Sequence, residues 1–418
     1  MYYNITKMST YTCEKCGKVF KQKSHYTTHM NKINPCVVES KIQEMISDAI
    51  QANLGIINNQ VITNQVDIDF TPFRIEDAQS NGSNPLISSP FIGGLNEKLC
   101  NKLVKEVNHQ KIQIVKPILK WVGGKTQIMD KLIVEFPTEI NNYREIFLGG
   151  GSVLLTLLSY IKEGIIKVHG NIYAYDLNEP LIYIYKNIQS HHNELYDKLQ
   201  AIITEFNECG NGEVNRKPQT IDEAKIGKEN YYYWMRNEYN KLSFNDKKTI
   251  LGSAMFIFLN KTCFRGVFRV GPKGFNVPYG HYKNPEIINR GHLEKIHDLI
   301  QGVIFECCDF NISLNDVKLN DFVYLDPPYA PETTTSFVGY TENGFSLDNH
   351  NNLFKLVHKL TETNKKMMLS NADVKLIREN FSDCVESKKY NISSILCRRA
   401  INSTNPEATA KEVIIKNY

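Results

Sequence analysis

The chain lacks any apolar run of the roughly 18 residues that a membrane-spanning helix requires, so no membrane span is expected. Its opening residues, Met1-Tyr2-Tyr3-Asn4, lack the basic and apolar regions of a secretory signal, so the protein is expected inside the cell and not secreted. No internal repeat is visible. A strong charge of one sign is missing too: 49 Lys and Arg stand against 45 Asp and Glu, a net charge of +4. So small an excess permits nucleic acid as a partner without demanding it. The ten cysteines belong to a reducing compartment, where they serve as metal ligands or core thiols rather than disulfides. What is present is a globular composition, 42% hydrophobic and 11% aromatic over 418 residues. That length accommodates one large domain with accessories, or two domains.

Composition divides the chain into three regions. Residues 1–37 are rich in Cys, His and Lys. Residues 38–112 are polar and contain the loop signal Ser80-Asn81-Gly82-Ser83-Asn84-Pro85. Helices are expected there over 40–52 and 96–107, the second because Leu99, Leu103, Val104 and Val107 recur at helical spacing. This region reads as a linker with helical pieces. From residue 113 to 418, strand-length apolar runs (145–148, 172–175, 303–305, 322–325, 366–369) alternate with helical stretches such as 177–190 and 349–361. That alternation predicts an α/β fold, a parallel sheet covered on both faces, with Val413-Ile414-Ile415 as a last, antiparallel strand.

In open parallel sheets ligands bind beyond the carboxyl ends of the strands. The residues found there form a set. Phe322-Val323-Tyr324-Leu325 runs into Asp326-Pro327-Pro328-Tyr329. Two prolines remove two donors and stop the sheet, leaving carbonyl acceptors beside a carboxylate and a flat ring. Such a group suits a planar base held by its exocyclic amine while the ring stacks on it. Gly149-Gly150-Gly151-Ser152 follows the first run, allowing a tight turn and close approach to a ligand. Asp176 ends the second run, where an acidic residue accepts hydrogen bonds from ribose hydroxyls. Cys308-Asp309-Phe310 follows a later run, with Phe310 available to pack on an adenine ring. Upstream, Lys120-Trp121-Val122-Gly123-Gly124-Lys125 combines two charges, a Trp and a glycine pair. Each piece alone is common; together on consecutive strand ends they outline one site.

These pieces, in this order, resemble the Dam-type DNA adenine-N6 methyltransferases of bacteria and phages. The resemblance runs from about residue 114 to the C-terminus. It rests on Leu119 to Lys125, Phe147 to Ser152, Ala174-Tyr175-Asp176-Leu177-Asn178, Phe275-Asn276-Val277-Pro278-Tyr279-Gly280-His281-Tyr282, Asp326 to Pro331 and Leu369-Ser370-Asn371. It implies a Rossmann-like class I S-adenosylmethionine-dependent methyltransferase sheet with an inserted, mainly helical target-recognition domain over about 188–285. It implies S-adenosylmethionine as methyl donor, bound by Trp121, Lys125, Phe147, Gly149, Gly151, Asp176, Asp309, Phe310 and Asp326. Asp326 and the Pro327 carbonyl would accept the N–H bonds of adenine N6, and Tyr329 would stack on the base once flipped from the duplex. Double-stranded DNA is then the partner, and GATC the expected site. The related cytosine-N4 enzymes share the amine chemistry; Asp rather than Ser at position 326 argues against them. A second alternative is a finger-bearing DNA-binding protein whose methyltransferase domain is inactive.

Within 188–285 the cluster Tyr231, Tyr232, Tyr233 and Trp234 reads as helical core packing. The Gly-punctuated stretch 260–282 reads instead as a hairpin whose arginines face guanine edges and whose aromatic fills the gap left by a flipped base. By the resemblance, the DNA-contacting residues are Lys120, Phe264, Arg265, Val267, Arg269 and Tyr282. Arg265 stands where asparagine is usual, Val267 where leucine is and His281 where arginine is. These departures bear on the recognised site and leave the catalytic assignment intact.

Cys13-x2-Cys16, twelve residues, His29 and then Cys36 make a zinc-ligand spacing, with Phe20 and Tyr26 where a zinc finger places its core residues. The final gap of six residues is longer than the usual three to five, and Cys replaces the last His. His25 is an alternative ligand that would shorten the central loop. So small a module would draw its folding energy from structural Zn2+. Its five lysines (15, 18, 21, 23 and 32) suit a DNA-facing surface, and protein is the other possible partner.

Overall fold

A computed structural model describes residues 11–13, 19–20, 22–30, 112–331, 345–381, 390–398 and 409–418. The chain divides into two units, Met1–Ile87 and Ser88–Tyr418. In the first, Tyr11–Thr12 pairs antiparallel with Val19–Phe20, and a helix, Lys23–Met30, follows. Cys13 is buried, and the Phe20 ring lies 4.8 Å from His29 and 6.1 Å from Tyr26. Among the described residues no group of three or more metal-ligating side chains converges. Two of the four expected zinc ligands, Cys16 and Cys36, lie outside those residues, as do the helices expected over 40–52 and 96–107.

The second unit is built on a seven-stranded sheet. Its strands are β1 (Tyr143–Glu145), β2 (Ile172–Asp176), β3 (Val303–Cys307), β4 (Phe322–Leu325), β5 (Lys366–Ala372), β6 (Asn391–Arg398) and β7 (Thr409–Lys416). The order is β6-β7-β5-β4-β1-β2-β3, with β1 to β5 parallel and β7 antiparallel to both its neighbours. Among the helices are α1 (Ser152–Lys162), α2 (Glu179–Glu208), α3 (Lys228–Lys241), α4 (Ile250–Thr262), α5 (Arg290–Leu299), α6 (Leu347–Glu362) and α7 (Lys375–Phe381). Successive side chains of a strand face opposite ways, and the core divides accordingly. Phe322, Tyr324, Met368 and Ile414 join one buried cluster with residues of α1, α2 and α4. Val323, Leu325, Met367, Leu369, Val413 and Ile415 join the other, with residues of α6 and α7. Burial on both faces explains why β4 is apolar throughout.

The expected strands recur with two differences. The first run was expected over 145–148, yet the regular strand is Tyr143–Glu145. The next residues still bond sideways: Ile146 N–H donates to Tyr324 at 3.1 Å and Leu148 N–H to Tyr175 at 2.8 Å. The chain here leaves one neighbour for the other, so no single ladder continues. β6 was not expected, because its Asn391, Ser393 and Ser394 are exposed at the sheet edge and break the apolar signal.

This topology makes a crevice. The chain leaves β1 through α1 toward β2 on one side; β4, on the other side of β1, is reached only after β3. Carboxyl ends of adjacent strands whose connections diverge form the usual ligand cleft of such sheets. Tyr324 pairs with Glu145, so Phe147 and Asp326, each two residues further on, emerge on either side of the cleft. Between β2 and β3 the chain is mainly helical, with a short hairpin, Val270–Gly271 against Gly274–Phe275. Tyr231 and Tyr232 are fully buried there and Tyr233 nearly so, as expected for helical core packing.

Candidate active site

A cavity of about 1350 Å³ opens at the carboxyl ends of β1, β2 and β4. Its lining includes Lys120, Trp121, Lys125, Phe147, Gly149, Asp176, Arg265, Asp309, Phe310, Asp326, Pro327 and Tyr329. These come from segments spread over more than two hundred residues. The sheet brings them together because each follows a parallel strand or packs on one that does.

The floor is the glycine turn. Gly149 and Gly151 have φ of 49° and 71°, the left-handed region where a side chain is strained. A Cβ on Gly149 or Gly150 would come within 2.8 Å of Trp121, and one on Gly151 within 2.5 Å of the Tyr185 hydroxyl. That hydroxyl donates to the Gly150 carbonyl at 2.7 Å. The glycines thus admit Trp121 and Tyr185 against the turn, a reason for them beyond close approach to a ligand. Asp176 secures the far side: Gly149 N–H donates to Oδ2 and Asn178 N–H to Oδ1, both at 2.9 Å. Burial raises the Asp176 carboxyl above its ordinary value, and these backbone donors oppose the shift.

The Asp326 wall carries the strongest electrostatics. Lys125 Nζ lies 2.6 Å from Asp326 Oδ2, with the lysine only 3% exposed. The same ammonium donates to the Gly123 carbonyl at 2.8 Å and sits 4.8 Å from the centre of the Tyr329 ring. Burial pushes the Asp326 carboxyl up to about 6; Lys125 pulls it down and Glu412 adds to the rise. At neutral pH it is therefore mostly ionised and accepts hydrogen bonds. Nearby, Glu145 is buried and accepts the Tyr143 hydroxyl at 2.7 Å. Burial pushes its carboxyl up to about 8, so at neutral pH it is mostly neutral. Two carboxyls in one cleft, one charged and one not, is a division of roles that environment alone creates.

In the same cavity Phe147, Phe310 and Phe345 pack about one another with ring centres 5.8 to 6.1 Å apart. Asp309 caps the short helix Phe310–Ser313, accepting from Asn311 N–H at 2.8 Å. The pocket thus offers both an apolar aromatic patch and a carboxylate.

At its rim the cavity meets the hairpin region. Phe264 is 47% exposed, and the Arg265 guanidinium lies 5.3 Å from its ring centre. Arg265 itself has φ of 56°, unusual for a side chain of that size. Lys120 Nζ stands 4.0 Å over the Tyr282 ring. Arg269, exposed just before the hairpin, donates to Asn276 Oδ1 at 2.7 Å. Gly151, Phe264, Arg269 and Tyr282 do not line the cavity, and Val267 is half-buried against the core. Asn260 carries no sequence signal, yet it joins this rim. Its Oδ1 accepts Lys120 N–H and its Nδ2 donates to the Lys120 carbonyl, both at 2.8 Å, and also to the Gly266 carbonyl at 3.2 Å. One buried amide thereby ties the Lys120 loop to the Phe264–Gly266 turn. Glu412 and Asn371 were likewise not foreseen as site residues; Asn371 fell within the Leu369-Ser370-Asn371 block, whereas nothing marked Glu412.

Residues 121–401 match the family of D12 class N6 adenine-specific DNA methyltransferases, and residues 11–32 match the C2H2-type zinc fingers. The chain is 37% identical to the type II methyltransferase M.MjaIII of Methanocaldococcus jannaschii over 73% of this chain and 99% of that one. It is 28% identical to the type II methyltransferase M1.LlaDCHI of Lactococcus lactis subsp. cremoris over 73% of this chain and 96% of the relative. It is 27% identical to the DNA adenine methylase of Escherichia coli over 71% of this chain and 91% of the relative.

Proposed function

Because the chain belongs to the D12 class N6 adenine-specific DNA methyltransferases, we propose that it methylates N6 of an adenine flipped out of duplex DNA, with S-adenosylmethionine as donor and GATC as its site. The observation that carries this reading is the half-buried Asp326 carboxylate, paired with the buried Lys125 at 2.6 Å on the cleft between β1 and β4. Adenine N6 is a poor nucleophile because its lone pair is delocalised into the ring. Asp326 and the Pro327 carbonyl accept its two N–H bonds and draw that lone pair out of conjugation. Tyr329 stacks on the base and sets its plane.

The donor fits the residues present. The aromatic patch of Phe147 and Phe310 suits an adenine, Asp176 suits ribose hydroxyls, and Trp121, Lys125, Asp309 and the Gly149 backbone complete the cradle, with Gly151 shaping the turn beneath. When bound, S-adenosylmethionine supplies a methyl group already activated on a sulfonium, so positioning provides most of the acceleration. On this reading the helices and hairpin between β2 and β3 form the target-recognition domain inserted in a class I methyltransferase sheet. Phe264 fills the space of the flipped base, while Lys120, Arg265, Val267, Arg269 and Tyr282 contact the site. The N-terminal module holds structural zinc through Cys13, Cys16, His29 and Cys36 and adds contact to DNA or to a protein partner. Supporting this are the C2H2 match over 11–32, the strand-strand-helix order, and the Phe20 ring packed on His29.

The test is methyl transfer from labelled S-adenosylmethionine to two duplexes, one carrying GATC and one with that site scrambled. Label on the GATC duplex alone is expected. Label on both keeps the enzyme and refutes the site. Asp326→Ala is expected to abolish transfer while leaving DNA binding largely in place, and transfer that survives it refutes the mechanism.

A further inference from the structure

We propose that Glu412 is a positioning residue for methyl transfer, fixing the position of the Tyr329 ring through the tyrosine hydroxyl. The inference rests on the function proposed above and adds to it a residue from the antiparallel strand β7.

The argument begins with the prolines. Pro327 and Pro328 have no N–H, so the loop after β4 cannot hold itself to the sheet by a backbone ladder. β5 runs further: Leu369 pairs with Leu325, and Ser370, Asn371 and Ala372 continue beyond the end of β4. β7 lies on the other side of β5, with Val413 opposite Asn371 and Glu412 opposite Ala372. Side chains from these two strands hold what the backbone cannot. Asn371 Oδ1 accepts the Ala330 N–H at 2.9 Å, which fixes the loop just past the tyrosine. Asn371 Nδ2 is buried with no partner among the described residues, so the amide's bonding here is made through its oxygen. With the backbone fixed there, the freedom left to Tyr329 is rotation of its side chain. Its hydroxyl donates to Glu412 Oε2 at 2.6 Å, the short distance of a charge-assisted bond.

The ring is thereby held at two places. Glu412 holds the hydroxyl end, and the Lys125 ammonium lies 4.8 Å from the ring centre while pairing with Asp326 at 2.6 Å. The stacking surface and the accepting carboxylate therefore share one frame. Without the Glu412 acceptor the ring can swing about the Cα–Cβ bond relative to Asp326, and a base stacked on it no longer presents N6 correctly. Misplacement of that kind lowers the rate of the chemical step more than it weakens binding.

The experiment measures single-turnover methyl transfer at saturating donor and DNA, with donor Kd and melting temperature alongside. The proteins are wild type, Tyr329→Phe, Glu412→Ala, the double variant and Glu412→Gln. Tyr329→Phe keeps the ring and loses the hydroxyl. It and Glu412→Ala are each expected to slow transfer about 10-fold or more, the range for a hydrogen bond to a charged group. The double variant should be no slower than the slower single one, because both remove the same contact. Glu412→Gln, which keeps an acceptor oxygen, should recover most of the rate. Donor Kd should change little throughout. A Tyr329→Phe rate equal to wild type overturns the proposal, as does a double variant in which the two losses multiply. If Glu412→Ala fails to fold, Tyr329→Phe and Glu412→Gln still decide: the first must be slow and the second nearly normal. A wild-type protein that binds donor yet labels no duplex refutes the enzymatic reading itself and this proposal with it, an outcome distinct from the others.

Discussion

Replacing Lys125 with methionine removes the cation beside Asp326 while keeping most of the side-chain volume. In the native protein the carboxyl sits at about 6, burial raising it and Lys125 lowering it. Removing an opposite charge this close shifts a carboxyl upward by roughly 1 to 3 units, which places Asp326 at about 7 to 9. At pH 7 the ionised fraction then falls from roughly nine-tenths to between about a half and a hundredth, so protonation alone slows transfer about 2- to 100-fold. The sign follows from the role: the accepting form is the ionised one, so activity is present above the folded-state pKa and lost as pH falls through it. The wild-type rate should decline through about pH 6, and the Lys125→Met rate should decline at higher pH and recover in alkaline buffer. Because Lys125 also touches Tyr329 and the donor cradle, some loss will be independent of pH. The diagnostic is therefore the position of the acid limb, read from single-turnover transfer at saturating donor across roughly pH 5 to 9.5. Limbs that coincide in the two proteins, or a wild type with no acid limb, would refute the pairing argument. The same shift affects stability in the opposite sense to an ordinary salt-bridged carboxylate. A carboxyl raised from 3.8 to about 6 contributes stability below its unfolded value that is lost as pH rises through about 6, at a cost of about 3 kcal/mol.

Other substitutions probe separate features. Gly151→Ala meets both a left-handed backbone and the Tyr185 hydroxyl, so it should destabilise the fold by about 1 to 3 kcal/mol and weaken donor binding, read by thermal melting and calorimetry. Asn260→Ala frees the Lys120 loop from the Phe264–Gly266 turn; it should reduce discrimination between GATC and singly altered duplexes by more than it weakens donor binding, and equal loss on every duplex would count against it. Glu145 contributes stability that is lost as pH rises from about 4.5 through about 8, so the melting temperature of Glu145→Gln is expected to gain on wild type as pH is raised from roughly 5 to 8 and to gain no further above that. A strong chelator should release about one zinc per chain by metal analysis and unfold the N-terminal module, while methyl transfer by the second unit persists in some measure.

Much of the sheet was legible because parallel strands buried on both faces must be apolar, and Phe322-Val323-Tyr324-Leu325 can be little else. The motifs were legible because their work is local: prolines stop a strand where they stand, and a glycine turn needs its glycines in order. β6 escaped notice because an edge strand may keep polar residues, as Asn391, Ser393 and Ser394 do. The reason for the glycines was only half legible, since Trp121 and Tyr185 lie far along the chain in either direction.

By itself the amino-acid sequence determined the fold class, the order of the motifs and the chemistry each can offer, since these depend on residue type and short spacing. The tertiary structure alone decided how those groups act on one another. Asp326 is held near 6 because the fold partly buries it and places Lys125, some two hundred residues upstream, at 2.6 Å. Asn260 reaches Lys120 across 140 residues and Glu412 reaches Tyr329 across 83. Spacing carries no trace of such contacts, because the distance that governs a hydrogen bond or a charge pair is set by packing and not by position along the chain.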